Sequence, residues 1–367
     1  LRAQKYLLQN YIRTMIMQNE GVTGSDLLDM DLYNKLPRVV KCVRTRASEY
    51  VGIKKSAQHG KAFYTGLVQC GSVWACPVCA SKIQERRREE IAKAVDWAYK
   101  KNLVPVMITF THPHYAFNKA SDLLEKQASA FKYLRSGKSF SEFKKSAGMA
   151  GFIRSLEVTY GGNGWHIHTH ELWFVDSSVC KDGFIKYVSD RWEKACSKNG
   201  MIPRGKLKAF RKNAVDFKFN ANCSEYLAKQ DDEKIFWGVD REMTKGAVKK
   251  GSTVHPFQLV QLAFDNVPGA SDKFLEYMEA FKGKAQIFWS RGLKDLVGIE
   301  DLSDKQLAEK RDDECIDIAN LEMFAWQKIL DLNARARVLS MAENGGVDSV
   351  NSWLKHYGLH IAPTSWM

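Results

Sequence analysis

Several things are missing from this chain of 367 residues, and each omission removes a class of protein. It has no run of 18 or more apolar residues, so nothing in it reads as a membrane-spanning helix and no membrane partner is expected. The opening stretch LRAQKYLLQNYIRTMIMQ carries charge in its first turn and no small-residue cleavage site, so the chain does not read as secreted and a cytoplasmic location is expected. It begins at Leu1 rather than at a methionine, and nothing is rested on that terminus. Internal repeats and low-complexity tracts are absent. A hydrophobic content of 45% excludes disorder, and the length allows two or three packed domains. Acidic residues are in deficit: 42 Asp and Glu stand against 55 Lys and Arg, and the net +13 points to a polyanionic partner without naming one.

Cysteine is scarce, at eight residues, but it is not evenly spread. Cys180, Cys196, Cys223 and Cys315 stand alone and are expected to be small buried thiols. The segment CGSVWACPVC holds three more, Cys70, Cys76 and Cys79. A Cys-Pro-Val-Cys turn aims two thiolates at one ion, and a tetrahedron needs a further pair, for which Cys70 and Cys42 are the natural choices. His59 is the alternative to Cys42. Without a secretory signal a disulfide framework is disfavoured, so structural Zn2+ is the expectation and a redox CxxC the alternative.

The chain begins with an amphipathic helix carrying Tyr6, Leu7, Tyr11 and Met15 on its apolar face. Residues 82–100 form a second helix with Ile91, Ala94, Val95 and Ala98 in one stripe and Arg86, Arg87 and Arg88 on a solvated face. A buried strand is expected over 104–111 and helices over 121–135 and 181–198. Beyond residue 300 the pattern reads as helical, with Ile316, Ile318, Leu321, Phe324 and Ile329 supplying apolar faces.

The informative block is GFIRSLEVTY, GGNG and WHIHTHELWF, two strand-like runs around a glycine-rich turn that predict a β-hairpin. Period-two alternation puts His166, His168 and His170 on one face and Trp165, Ile167, Thr169, Glu171 and Trp173 on the other. Alternate residues of a strand are roughly 6.6 Å apart, and His166 and His170 about 13 Å, too far to share one ion from a single strand. One adjacent pair is therefore the site, and His168 belongs to either. Glu157 is the acidic residue of the facing strand and the candidate third ligand. Two imidazoles and a carboxylate with open positions suit a catalytic divalent cation rather than a closed structural site.

A short strand over 214–219 and a helix over 221–231 follow the basic segment RGKLKAFRK. On that helix Tyr226, Lys229 and Gln230 share a side. A free tyrosine is only about 0.1% phenolate at neutral pH, so Tyr226 needs help from a cation or from Lys229 to attack phosphorus.

Taken in order, MITFTHPH, LEVTY with GWHIHTHELWF, and EYLAKQ resemble the three motifs of the HUH endonucleases. Residues 38 to 300 more closely resemble the Rep class 1 family of plasmid rolling-circle replication initiators, including the cysteine segment, REMTKGAVKKG, HPFQL and WSRGL. The resemblance implies an α+β fold with a central antiparallel sheet flanked by helices. It implies a metal site of His168, His170 and Glu157 with His166 beside it, Tyr226 as nucleophile, and Lys229 beside the phosphate or the phenolate. The implied activity nicks and rejoins one strand at a plasmid origin through a 5′-phosphotyrosine, leaving a 3′-hydroxyl primer, with Mg2+ or Mn2+ as the ion. Some members carry a glutamate four residues before the tyrosine; Asn222 stands here, which leaves termination by hydrolysis open.

The expected domains are a helical and zinc-knuckle region over 1–99, a catalytic domain over 100–265 and a helical region over 266–367. Arg204, Lys206, Lys208, Arg211 and Lys212, with Lys245, Lys249 and Lys250, are the candidates to hold phosphates of single-stranded or supercoiled origin DNA, and Trp237 is a possible stacking partner. Host helicase and polymerase are the further partners considered, and oligomeric state is open. A transposase of the same chemistry and a zinc-containing DNA-binding regulator without nuclease activity are the alternative functions.

Overall fold

The computed structural model describes residues 1–23, 26, 29–219, 253–310 and 314–362. Its strands are β1 (Val51–Ser56), β2 (Ala62–Thr65), β3 (Leu103–Phe110), β4 (Gly151–Gly161), β5 (Gly164–Asp176), β6 (Val215–Phe219), β7 (Ile287–Trp289) and β8 (Cys315–Leu321). The first eight helices are α1 (Arg2–Asn19), α2 (Met30–Lys35), α3 (Arg38–Lys41), α4 (Pro77–Lys100), α5 (Ala120–Leu134), α6 (Gly137–Ser146), α7 (Lys181–Lys198) and α8 (Leu207–Asn213); later ones are named by their residues. No described helix is long and apolar enough to cross a membrane.

The chain separates into two compact units, Leu1–Ile83 with Leu302–Met367, and Gln84–Asp301. This partition differs from three consecutive segments, because the C-terminal region folds back onto the N-terminal one. The agent is β8, which pairs with β1 in the three-stranded antiparallel sheet β2-β1-β8. Here the expectation of a purely helical region beyond residue 300 is corrected. The segment CIDIANL has isoleucines two apart, a strand spacing, and Ala319 and Leu321 are buried while Ile316 is exposed. In α1 the buried face is Leu8, Ile12, Met15 and Ile16; Leu7, expected inside, is exposed.

The second unit is built on a five-stranded antiparallel sheet in the order β6-β3-β5-β4-β7, with β5 at its centre. Being central and covered on both sides, β5 is apolar in both parities at its C-terminal end. Leu172 and Phe174 pack with Met107 and Ile153 against Ile91, Ala94, Val95 and Ala98 of α4, the stripe the sequence predicts. Trp173 and Val175 join Val106, Ile108 and Phe110 against Phe131 of α5 and Phe184, Val188 and Trp192 of α7. Trp165 is also fully buried, its ring 6.1 Å from that of Tyr277 and its Nε1 donating to Glu276 at 3.0 Å. Both tryptophans of the hairpin are thus core, as their parity requires. Of the three arginines expected on a solvated face, Arg87 is buried and paired with Glu90 at 2.8 Å, and Arg88 is paired with Glu85.

One charge lies inside the α5–α7 side of the sheet. Glu171 has no exposure, is ion-paired with Arg135, and accepts from Trp173 Nε1 at 2.7 Å. The Arg135 guanidinium lies over the rings of Phe131 and Phe152, 4.7 and 4.3 Å from their centroids. Removing one partner of such a pair strands the other charge in apolar surroundings. Glu171→Ala is therefore expected to cost about 3–5 kcal/mol, seen as a lower urea midpoint for the Gln84–Asp301 unit; an unchanged midpoint would contradict the buried pair.

Candidate metal centres

The hairpin turn closes with Gly161 paired to Gly164, and from that register every later pairing follows: Glu157 lies directly opposite His168, and Ser155 opposite His170. On the other side of β5, Thr109 of β3 lies opposite His170. All of these side chains share a parity with Ile153, Met107 and Leu172, so they occupy the face that α4 covers further along the strands.

Their polar atoms converge. His168 Nε2 is 3.2 Å and His170 Nε2 3.5 Å from Glu157 Oε2, and one ligand atom from each of the three residues lies within 4.8 Å of the others. Two donors bound about 2.0–2.2 Å from an ion at octahedral or tetrahedral angles stand about 2.8–3.6 Å apart, so this spacing suits a shared cation. Thr109 Oγ1 is 2.9 Å from His170 Nδ1, which orients the ring with Nε2 toward the carboxylate. Burial raises the Glu157 carboxyl, but hydrogen bonds to His168 and His170 outweigh it and bring the group down to about 2, so it is ionised at neutral pH. His166 stands outside this set. Its ring stacks between those of His168 and His114, at 4.7 and 4.8 Å. Thr169, between the paired histidines in sequence, points the other way and is fully buried.

Two histidines that periodicity did not single out belong to this face. His114 enters through the HPH segment after β3; His255 caps the helix Pro256–Phe264, accepting from Phe257 N at 3.2 Å. Val254, next to it, bridges to Tyr160 of β4, which brings the HPFQL segment to the hairpin. The signal for both was motif order alone, because neither lies on a regular element.

In the other unit, Cys42, Cys70, Cys76 and Cys79 converge, with Cys42 filling the fourth place rather than the exposed His59. Cys42 and Cys79 sulfurs are 3.5 Å apart, and Cys70–Cys79 and Cys76–Cys42 are each 3.7 Å. A tetrahedron with bonds of about 2.3 Å has edges of about 3.8 Å, so four thiolates so placed fit Zn2+. The chain supports them: Cys70 N donates to Cys42 Sγ, Ser72 N to Cys70 Sγ, and Gln9 Nε2 to Cys76 Sγ at 3.3 Å. Burial pushes the Cys76 thiol up, but hydrogen bonds from the other three cysteines hold it well below its usual range. Behind Gln9 sits Arg335, 1% exposed, which donates to Gln9 Oε1 at 2.7 Å and to Val43 O at 3.0 Å. Sequence reading missed both supports, since a lone Gln and a lone Arg on two helices carry no pattern.

The expected phosphate-holding residues are partly grouped. Arg204, Lys206, Lys208 and Lys212 are exposed in and before α8. Arg211 is held by Glu193 through two hydrogen bonds of 2.6 and 2.9 Å. Tyr226, Lys229, Asn222, Cys223, Trp237, Lys245, Lys249 and Lys250 lie outside the described residues.

A family model described as "Replication protein" matches residues 68–331, and the chain belongs to that family, the plasmid rolling-circle Rep proteins. Among curated proteins it is similar to "Protein rep" of Streptomyces lividans, 26% identical with 66% of each chain covered. It is also similar to a "Neomycin resistance protein" of Streptomyces cyanogenus, 32% identical over 31% of this chain and 32% of the relative. The chain thus spans just under two thirds of the first relative and about a third of the second. No solved structure matches it.

The turn of the β4–β5 hairpin has its own constraint. Gly164 has φ +82°, and a Cβ there would lie 2.8 Å from Tyr115 O and 2.9 Å from Ala116 Cα, backbone atoms of the loop that follows HPH. Gly164→Ala is expected to displace that loop and to cost at least about 1–2 kcal/mol from backbone conformation alone. Hydrogen exchange over residues 112–118 should speed up; unchanged protection there would show that the hairpin does not brace the loop.

Proposed function

We propose that this protein initiates rolling-circle replication by nicking and rejoining one strand of plasmid origin DNA, with Tyr226 as nucleophile and a divalent cation held by Glu157, His168 and His170. The observation that carries the reading is the convergence of those three side chains on adjacent strands, in a chain of the replication-protein family. Family membership favours replication over transposition and over a regulator without nuclease activity.

A divalent cation bound there would supply Lewis-acid polarisation of a phosphate oxygen; the two imidazoles favour a later transition metal, whereas availability and phosphate chemistry favour Mg2+ or Mn2+. The residues do the rest. Glu157 stays ionised and fixes His168 and His170 by direct contact, while Thr109 sets the His170 ring. The phenolic oxygen of Tyr226 forms a bond to phosphorus and loses its proton to solvent. The bond from phosphorus to the 3′-oxygen breaks, and that oxygen takes up a proton to become the 3′-hydroxyl primer; the 5′-phosphate stays on the tyrosine. Lys229 offsets the growing negative charge on the phosphate. Attack of a 3′-hydroxyl on the phosphotyrosine reverses the step and joins strands. Exposed cations of α8 hold the flanking phosphates. Zn2+ at the four cysteines is structural in this reading.

Incubation with labelled single-stranded origin oligonucleotide and Mn2+, followed by denaturing electrophoresis, is expected to show a covalent adduct. Tyr226→Phe should abolish it, and His168→Ala should reduce it by at least about a hundredfold while most DNA binding remains. An adduct of wild-type yield in Tyr226→Phe would refute the assignment.

Zinc removal is a separate test. A chelator should release one equivalent of zinc and speed hydrogen exchange over residues 42–79, leaving β4 and β5 protected. Release of no zinc from freshly purified protein would contradict the structural role.

A further inference from the structure

Two side chains that are not metal ligands stand behind the cysteine cluster, and both are almost wholly buried. Gln9 of α1 and Arg335, the first residue of the helix Arg335–Lys355, are each 1% exposed. We propose that they are positioning residues for a metal ion at the four cysteines. Arg335 fixes the Gln9 carboxamide so that its Nε2–H donates to the Cys76 thiolate, and it holds the backbone beside Cys42, so that the ion is retained more tightly. The proposal rests on the reading of the four cysteines as a zinc site.

The orientation of Gln9 follows from donor chemistry. Arg335 Nη1 is 2.7 Å from Gln9 Oε1, and a guanidinium only donates, so the carboxamide oxygen faces Arg335. Its nitrogen is thereby turned to Cys76 Sγ, 3.3 Å away. A hydrogen bond to a thiolate is charge-assisted and stronger than one to a neutral thiol. Donation at that point therefore favours the deprotonated, metal-binding form of Cys76 over the free thiol.

Arg335 reaches a second cysteine through the backbone. Val43 directly follows Cys42 and has φ +50°, a left-handed conformation that is an outlier for a β-branched residue. Such a backbone persists only where its surroundings hold it. Here Val43 N donates to Val68 O at 2.8 Å, and Val43 O accepts from Arg335 Nη1 at 3.0 Å. One nitrogen of Arg335 thus serves the supports of both Cys76 and Cys42.

The guanidinium is itself fixed. Its Nη2 donates to Asn10 Oδ1 at 2.8 Å and to Tyr6 O at 3.4 Å, and the Arg335 carbonyl accepts from Tyr64 Oη at 3.0 Å. A planar fork can serve these acceptors together, whereas a lysine ammonium on a flexible stem cannot hold the same arrangement. Residues that orient metal ligands in this way commonly change affinity by about 10–100-fold when replaced.

The test measures zinc affinity of the full chain by competition with a chromophoric chelator, and the absorption of the Co2+-substituted protein. Gln9→Met keeps the length of the side chain but removes the donor, and Arg335→Lys keeps the charge but removes the fork. Each is expected to weaken zinc binding about 10–100-fold. A hydrogen bond lowers the energy of the sulfur lone pairs, so its loss in Gln9→Met should move the sulfur-to-Co2+ charge-transfer band to longer wavelength. Arg2→Ala is the control, since it cuts the ion pair with Glu343 between the same two helices and leaves Gln9 and Arg335 in place; it should change neither readout. Unchanged affinity and spectrum in Gln9→Met, or equal effects in Arg2→Ala, would overturn the proposal while leaving the zinc site intact. Wild-type protein that takes up neither metal would overturn the zinc reading and this proposal with it.

Discussion

Register between β4 and β5 is the constraint on which the rest depends. Pairing Glu157 with His168 places one carboxylate and two imidazoles on one face within 4.8 Å. A slip of β4 by one residue would turn Glu157 to the α5–α7 face, away from His168 and His170. The register is held at both ends. Gly164 locks the turn against the backbone of the HPH loop, and the apolar residues Ile153, Leu172 and Phe174 lock the far end against α4. The same alternation sends Trp165 and Trp173 inward, so core and chemistry are set by a single choice of parity.

The cysteine cluster plays a comparable part in the other unit. Its four sulfurs come from three places: the end of α3, the loop after β2 and the first turn of α4, where Ala80 N already bonds to Cys76 O. Gln9 of α1 and Arg335 of the helix Arg335–Lys355 stand behind them. Arg335 is a buried cation whose guanidinium donates to the carbonyl oxygens of Val43 and Tyr6 and the amide oxygens of Gln9 and Asn10 and lies 4.3 Å from the ring centroid of Tyr6. The buried guanidinium is close enough to Cys76 and Cys42 to interact with them electrostatically. N- and C-terminal segments are thereby joined through a polar core as well as through β8.

Much of the Gln84–Asp301 unit was legible in the residues. Helix 82–100, strand 104–111 and the hairpin 151–174 correspond to α4, β3, β4 and β5 within a few residues, because each has strong periodicity over its length. The failures share one cause. CIDIANL read as helix because a segment of seven residues is ambiguous alone, and its partner β1 is more than 250 residues away in the chain. His114 and His255 lie on a loop and at a helix cap, where no period marks a functional side chain. Arg87 and Arg211 read as free cations until the fold supplied Glu90 and Glu193.

By itself the amino-acid sequence determined the donor types, their spacing along each strand and the parity that puts them on one face, because those depend only on backbone geometry and local order. It determined the cysteine spacing for the same reason. Strand spacing left His166 and His170 open as the partner of His168, the resemblance implied His170, and the tertiary structure brings His170 to Glu157. Cross-strand register and the hydroxyl of Thr109 turn His170 toward Glu157, whereas His166 is drawn into the stack with His114. The tertiary structure also decided that Cys42, not His59, completes the sulfur cluster. Those outcomes rest on contacts between segments far apart in the chain, which no local pattern records.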